Sequence, residues 1–371
     1  MRAVVVYPGQ DRPPELTEVP DPTPSAGQAR VKVLEVGVCG TDREILAGGH
    51  GEAPPGRDHL VLGHESFGQV EDGAGAVKDG DYVVATVRRG CGKCEMCRRN
   101  MSDFCETGEF VERGILGMDG YMAERYVEDP TFLVRIPPEL KDVGVLLEPT
   151  SVVEKALQQA FAAQSRIPSM PTAVLDPWTV GPSGWRPERV LVLGAGPIGM
   201  LGALLLKLAG AGEITAVERT ERANKRDILA EAGIGYLATG HAPTHEALSG
   251  KKYDLIVEAT GSSKAVIDAL PLLAANAVCC LTGVFPGNAG EQSVPLDDLL
   301  REMLYRNKAL VTTVNSNRAY FERGVQSMGE LERRWPGLLG RLITRRMPLE
   351  SYREAVEPER DDVKTVVEVA R

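Results

Sequence analysis

The feature that most constrains this chain is a glycine turn set inside a strict alternation of strands and helices. From Arg189 onward, short apolar runs at Val190–Leu193, Ile214–Glu218, Gly235–Ala238, Asp254–Glu258, Ala277–Leu281 and Leu310–Val314 read as strands. Helical patterns at Ile198–Leu208, Glu221–Ala232, Lys264–Leu273 and Leu296–Tyr305 fill most of the gaps. Six strands alternating with helices predict an α/β domain with a doubly wound parallel sheet.

The turn itself is Gly194-Ala195-Gly196-Pro197-Ile198-Gly199, directly after the first of these strands. The spacing G-x-G-x-x-G alone is a weak signal, but between a strand and a helix it reads as a Rossmann dinucleotide turn. Gly194 permits the tight turn, Gly196 lets backbone approach a pyrophosphate, and Gly199 lets helix and strand pack closely. Pro197 and Ile198 open the helix, whose free N–H groups and positive end hold phosphate. Glu218 closes the second strand, where a carboxylate accepts from ribose hydroxyls and repels a 2′-phosphate. That favours NAD, although Arg219 and Arg222 can pair with the extra phosphate of NADP. The plainer reading of Glu218 is a strand-end acid on a solvated edge.

The remainder has a different rhythm. Residues 1–150 carry short β-type runs at Ala3–Tyr7, Ala29–Val36, Gly68–Glu71 and Asp81–Val87, punctuated by Gly and Pro. Thr41 is expected to cap a short helix ending at Gly48-Gly49. A helix is expected over Ser151–Ala163, with Pro149 before it pushing Glu148 towards extended backbone. Arg166–Pro187, with five prolines, reads as a loop or linker, and a final strand falls near Thr365–Val369. With 371 residues, two domains are expected.

Charge and hydropathy exclude several roles. The net charge of −10 argues against a general nucleic-acid binder. No run approaches 18 apolar residues, so a membrane span is not expected. Met1–Tyr7 is too short for a signal-peptide core and reads as a strand, so the expected compartment is the cytoplasm. There the seven cysteines are metal ligands, reactive thiols or core filler rather than disulfides.

Cys91, Cys94, Cys97 and Cys105 follow C-x2-C-x2-C-x7-C. Four thiolates so close can surround one zinc with no open position, a structural site, though an iron–sulfur cluster uses the same ligands. Arg88, Arg89, Lys93, Arg98 and Arg99 make this lobe basic, without the interleaved aromatics of a nucleic-acid module, and are expected on a solvated face. Cys279 and Cys280 lie in an apolar strand and are expected in the core. Cys39, His64 and a carboxylate would make three ligands with a fourth position free, the mark of catalytic zinc. Spacing alone does not join Cys39 to His64, and each can equally be a satisfied core residue.

Cys39-Gly40-Thr41-Asp42, Gly63-His64-Glu65, the four-cysteine lobe and the late glycine turn occur in this order. The sequence therefore resembles the zinc-dependent medium-chain dehydrogenases/reductases. More narrowly it resembles the archaeal-type glucose 1-dehydrogenases, through Arg88-Arg89-Gly90-Cys91-Gly92, Phe104-Cys105-Glu106-Thr107-Gly108-Glu109-Phe110, Leu147-Glu148-Pro149 and Asn307-Lys308-Ala309-Leu310. The resemblance implies a mostly β, GroES-like catalytic domain over 1–152 with the structural zinc lobe at about 88–110. A Rossmann domain would follow over 153–315, then the end of the catalytic domain over 316–371. It implies catalytic zinc on Cys39 and His64, with Glu65 and Glu148 as ligands or close neighbours. Glu112 falls where the family pairs sugar hydroxyls, and Asn315 where an Asn lies between sugar and nicotinamide. Thr41 would touch substrate, and Thr41 and Asp42 would either shuttle its proton or, the favoured role, cap the helix after Cys39. Val87 departs from members that carry Asn there, removing one polar sugar contact.

The implied reaction is oxidation of D-glucose to D-glucono-1,5-lactone with NAD or NADP, NAD being favoured. Two zinc ions per subunit and a homodimer or homotetramer are implied. A polyol or threonine dehydrogenase of the same fold is the nearest rival, and a non-catalytic cofactor-binding zinc protein a more distant one.

Overall fold

The computed structural model describes residues 1–167, 185–285 and 293–370. Most of the expected loop Arg166–Pro187 therefore lies outside the described residues. The chain divides into two compact units. One comprises Met1–Ser151, Asn315–Gly329 and Leu339–Arg371; the other comprises Val152–Val314 and Glu330–Leu338.

Among the described residues the second unit is built on six parallel strands. In spatial order they are Gly235–Ala238, Glu213–Glu218, Arg189–Leu193, Tyr253–Glu258, Leu273–Leu281 and Ala309–Thr312. Counted along the chain this order is 3-2-1-4-5-6, the doubly wound arrangement whose ligand crevice lies at the carboxyl ends of the strands. Val190 to Leu193 are buried as a continuous run, as expected for a parallel strand covered on both faces. Each strand found in the sequence is present, with the last ending at Thr312 instead of Val314. Cys279 and Cys280 are fully buried in the fifth strand, where burial pushes both thiols up, Cys280 to about 12.

The glycine turn is shaped by close approach. Gly194 has φ +93°, a conformation that disfavours a side chain. A Cβ on Gly199 would lie 1.8 Å from the Gly194 carbonyl oxygen, so only glycine lets the helix Pro197–Leu208 start here. Pro197 sits at the first helical position, where its missing N–H costs no hydrogen bond.

The first unit carries a seven-stranded sheet. Leu133–Ile136, Tyr82–Ala85, Glu65–Asp72, Ala29–Gly37, Lys364–Glu368 and Ile343–Pro348 lie in that order, and Arg125–Glu128 also pairs with Ala29–Gly37. Burial alternates along the first half of Ala29–Gly37, the period-two pattern of a strand with one face in the core. Gly37 stands opposite Glu65 on one side and Val366 on the other, both antiparallel. The last strand of the chain thus lies beside the strand that leads into Cys39.

Three local expectations are corrected. The helix after residue 146 spans Leu147–Gln164, so Glu148 lies in its first turn and is not extended. Pro149 is tolerated there because first-turn N–H groups have no intrahelical partner. The short helix Gly40–Leu46 is capped by Cys39 instead of Thr41, and Asp42 closes the turn by accepting from the Cys39 N–H at 2.8 Å. Arg88 and Arg89 are buried and not solvated, paired with Glu112 and Glu128 respectively. No helix among the described residues is long and apolar enough to cross a membrane.

Candidate active site

Two groups of metal-ligating side chains form in the first unit. The sulfurs of Cys91, Cys94, Cys97 and Cys105 all lie within 4.8 Å of one another. The local chain builds this nest: Cys94 caps the turn Glu95–Arg98, its sulfur accepts from the Cys97 N–H, and the Cys91 sulfur accepts from the Cys94 N–H, both at 3.4 Å. Gly90 makes room, since a Cβ there would sit 2.4 Å from the Cys97 sulfur. Thr107 is the largest influence lowering the Cys105 thiol, to about 6, while burial raises Cys97 to about 12. Four soft donors with no carboxylate or solvent position suit a closed, structural zinc.

The second group is Cys39, His64 and Glu65, whose ligand atoms also lie within 4.8 Å of one another. Sheet register explains the meeting. Gly37 pairs with Glu65, and the two strands are antiparallel, so Cys39 beyond one strand end and His64 before the other reach the same place. His64 and Glu65 are buried, while Cys39 keeps partial exposure. Asp42, fully buried, lies 3.4 Å from His64 Nδ1, where its charge can orient the ring. Burial works against charge on His64, but Asp42 and Cys39 outweigh it and hold the ring well above its usual pKa. The ring, the sulfur and the carboxylate converge beside the buried Asp42, and their donor chemistry suits a cation. One soft, one imidazole and one carboxylate donor fit zinc with an open fourth position.

Glu148 stands close by without joining that set of three. Burial first, then the charge of Glu65, push its carboxyl up to about 7. The Thr41 hydroxyl lies 3.9 Å from the Cys39 sulfur. Glu112 and Asn315 meet directly, the Asn315 amide donating to Glu112 Oε1 at 2.7 Å. Arg88 Nε donates to the same oxygen at 2.9 Å. Asn315 has φ +57°, and its side-chain oxygen accepts from the Ser316 N–H, which fixes the amide orientation. Val87 is fully buried and presents no polar atom from its side chain.

In the second unit a pocket of about 470 Å³ is lined by Gly194, Glu218, Arg219, His241, Thr260 and Lys264, among others. A Cβ on Gly196 would meet nothing within 4 Å, so the space in front of the turn is open. Glu218 accepts from Lys225 Nζ at 3.0 Å, which offsets part of its charge. His241, to which the sequence assigned no role, lines this pocket. Asp42 takes the capping role expected of it, at the start of the helix after Cys39, and Lys364 is the other residue whose placement the sequence does not reveal. The signal for Lys364 is a lysine heading the otherwise largely apolar strand Thr365–Val369.

A closed thiolate cluster and an open Cys–His–Glu set occur in a chain that also carries a dinucleotide turn on a 3-2-1-4-5-6 sheet. That combination defines the zinc-dependent medium-chain dehydrogenases/reductases. Residues 25–138 match the alcohol dehydrogenase GroES-like domain, and residues 178–369 match the family described as glucose dehydrogenase C-terminus. Glucose 1-dehydrogenase of Methanocella arvoryzae is 43% identical over 375 residues, covering 100% of this chain and 99% of that protein. The Thermoproteus tenax glucose 1-dehydrogenase is 38% identical over 373 residues with the same coverage. The solved Haloferax mediterranei glucose dehydrogenase, in complex with NADP, Zn and gluconolactone, is 36% identical with a TM-score of 0.87, covering 100% of both chains. The chain belongs to the glucose 1-dehydrogenase family of these zinc enzymes.

Proposed function

We propose that this protein oxidises D-glucose, and more slowly related aldoses, to the corresponding 1,5-lactone by hydride transfer to NAD+ or NADP+. The observation that carries the reading is the open set Cys39, His64 and Glu65, which fits a catalytic metal where a closed thiolate cluster would not. Cys39, His64 and Glu65 would hold that zinc, with Glu148 beside it, and the four-cysteine lobe would hold the second. When bound, zinc supplies Lewis acidity towards a hydroxyl, and the nicotinamide supplies the hydride acceptor.

The chain's own residues do the rest. Glu112 and Asn315 offer a carboxylate and an amide already oriented by Arg88 and by the Ser316 N–H, so they meet sugar hydroxyls without reorganising. Thr41 offers a further hydroxyl partner. Glu148 in its ionised form accepts the proton released from the anomeric hydroxyl. The Gly194–Gly199 turn with Pro197 and Ile198 receives the pyrophosphate, and Glu218 the adenosine ribose. Glu218 supports a preference for NAD+, and its pairing with Lys225 and the neighbouring Arg219 narrow the margin over NADP+. The apolar Val87 leaves one sugar position unread, which supports activity on galactose and xylose as well.

Initial rates of nicotinamide reduction over glucose, galactose, xylose, sorbitol and threonine, with each cofactor, test this reading. Glucose should give the highest kcat/KM, with threonine at least about 100-fold lower, because a site built around hydroxyl partners rejects a ligand that leaves them unpaired; sorbitol should also fall below glucose, since it has no ring and no anomeric hydroxyl. Threonine or sorbitol outrunning every aldose would contradict it.

Self-association through the second unit also fits. Leu296, Leu300, Leu304 and Tyr305 on one helix are 54–75% exposed. Leu310, in the sheet's edge strand Ala309–Thr312, is 44% exposed. An exposed apolar helix face and an open strand edge in one unit suit a second copy of this chain across a two-fold axis. Light scattering should return a multiple of the 40.0 kDa chain mass, and a strictly monomeric mass would contradict this.

A further inference from the structure

A buried cation faces the open metal site, and nothing in the proposed chemistry uses it. Lys364 heads the strand Lys364–Glu368, 299 residues after Glu65 in the chain, and is 1% exposed. Its ammonium is ion-paired with Glu65 Oε2. It also donates to the Val38 carbonyl at 3.0 Å, one residue before Cys39. Burial works against its charge, but Glu65, Cys39 and Glu148 together keep the ammonium ionised.

The pair is built into the sheet. Gly37 lies between Glu65 and Val366 in register, and a Cβ there would fall 2.1 Å from Glu65 Oε2 and 2.8 Å from Lys364 Cε. Glycine at 37 is therefore the condition for bringing the two side chains together. An isolated buried ammonium is costly, as is an isolated buried carboxylate, so removing one partner leaves the other uncompensated.

The consequence concerns the metal. Glu65 is one of three side chains converging on the cation site, and Lys364 already occupies one of its oxygens. We propose that Lys364 is a positioning residue and built-in counter-cation of the metal centre, competing with zinc for Glu65 and thereby setting how tightly the site retains its ion. This rests on the reading of Cys39, His64 and Glu65 as metal ligands. With the ammonium present, the metal-free site is neutralised from within and keeps its shape. With zinc bound, the same ammonium repels the ion and draws charge from one of its ligands.

The predicted sign is the opposite of what a packing role would give. Lys364→Met should slow chelator extraction of zinc from the loaded protein, and raise its affinity, by about tenfold or more, since two cations no longer share one carboxylate. It should also widen the gap between the melting temperatures of zinc-loaded and zinc-free protein, because only the zinc-free form loses its counter-charge. Lys364→Arg, which restores the charge, should return extraction towards the wild-type rate. If Lys364→Met folds only with zinc, the extraction rate is still measurable on the loaded protein and decides the matter. Zinc leaving Lys364→Met as fast as wild type, or faster, overturns the proposal. His64→Ala serves as the control for the underlying reading. It should lower zinc content from two ions per chain to one, and unchanged content would refute the site itself instead of the role of Lys364.

Discussion

Cys39→Ser should lower kcat/KM for glucose by about 10³-fold while the protein stays folded. In the proposed site the Cys39 sulfur is the soft donor, and a serine hydroxyl does not replace it as a zinc ligand. Metal polarisation of a reacting oxygen contributes several kcal/mol, and each 1.36 kcal/mol is tenfold in rate. Zinc analysis should show one ion per chain instead of two, because the Cys91–Cys94–Cys97–Cys105 nest is a separate cluster. The fold should survive, since Cys39 is partly exposed and the helix it caps keeps the Asp42 contact through backbone, not through sulfur. Two zincs and wild-type turnover in Cys39→Ser would remove this site from the chemistry.

Glu148→Gln should cost about 10²–10⁴-fold in kcat, the usual range for losing a general base. The substitution keeps shape and removes the ability to take a proton. It should also change the pH dependence of zinc uptake. In the metal-free protein the carboxyl titrates near 7, raised by burial and by Glu65. Below that pH it is neutral, and above it anionic and attractive to a cation. His64, held above its usual pKa, must also release a proton before it can bind metal. Uptake should therefore weaken as pH falls from about 8 to about 6, and Glu148→Gln should flatten part of that fall, leaving the share due to His64. Equilibrium dialysis across this range reads it directly. An identical pH dependence in wild type and Glu148→Gln would show that Glu148 does not face the ion.

How far the sequence reached depended on how local each feature is. The glycine turn was legible because strand, turn and helix are consecutive, so Gly194, Gly196 and Gly199 carry their meaning in their spacing. The four-cysteine nest was legible for the same reason. The open site was not legible from spacing. Cys39 and Glu65 meet through antiparallel register at Gly37, a long-range pairing that residue patterns do not report, and only the resemblance joined them. Pro149 on its own disfavours helix at the preceding residue, but a first helical turn tolerates it, so Glu148 is helical. Charge alone points Arg88 and Arg89 to solvent, yet Glu112 and Glu128 lie across from them in the fold. Lys364 was missed because a single lysine at a strand start carries no signal until the sheet places it against Glu65.

The proposed function couples glucose oxidation to the ion of the open zinc site. The most direct measurement follows glucose-dependent nicotinamide reduction and zinc content together as the metal is withdrawn with a chelator and then restored. Activity should disappear with the first ion lost per chain and return when zinc is added back, with the second ion still bound throughout. Full activity persisting after that first ion has gone would contradict the account.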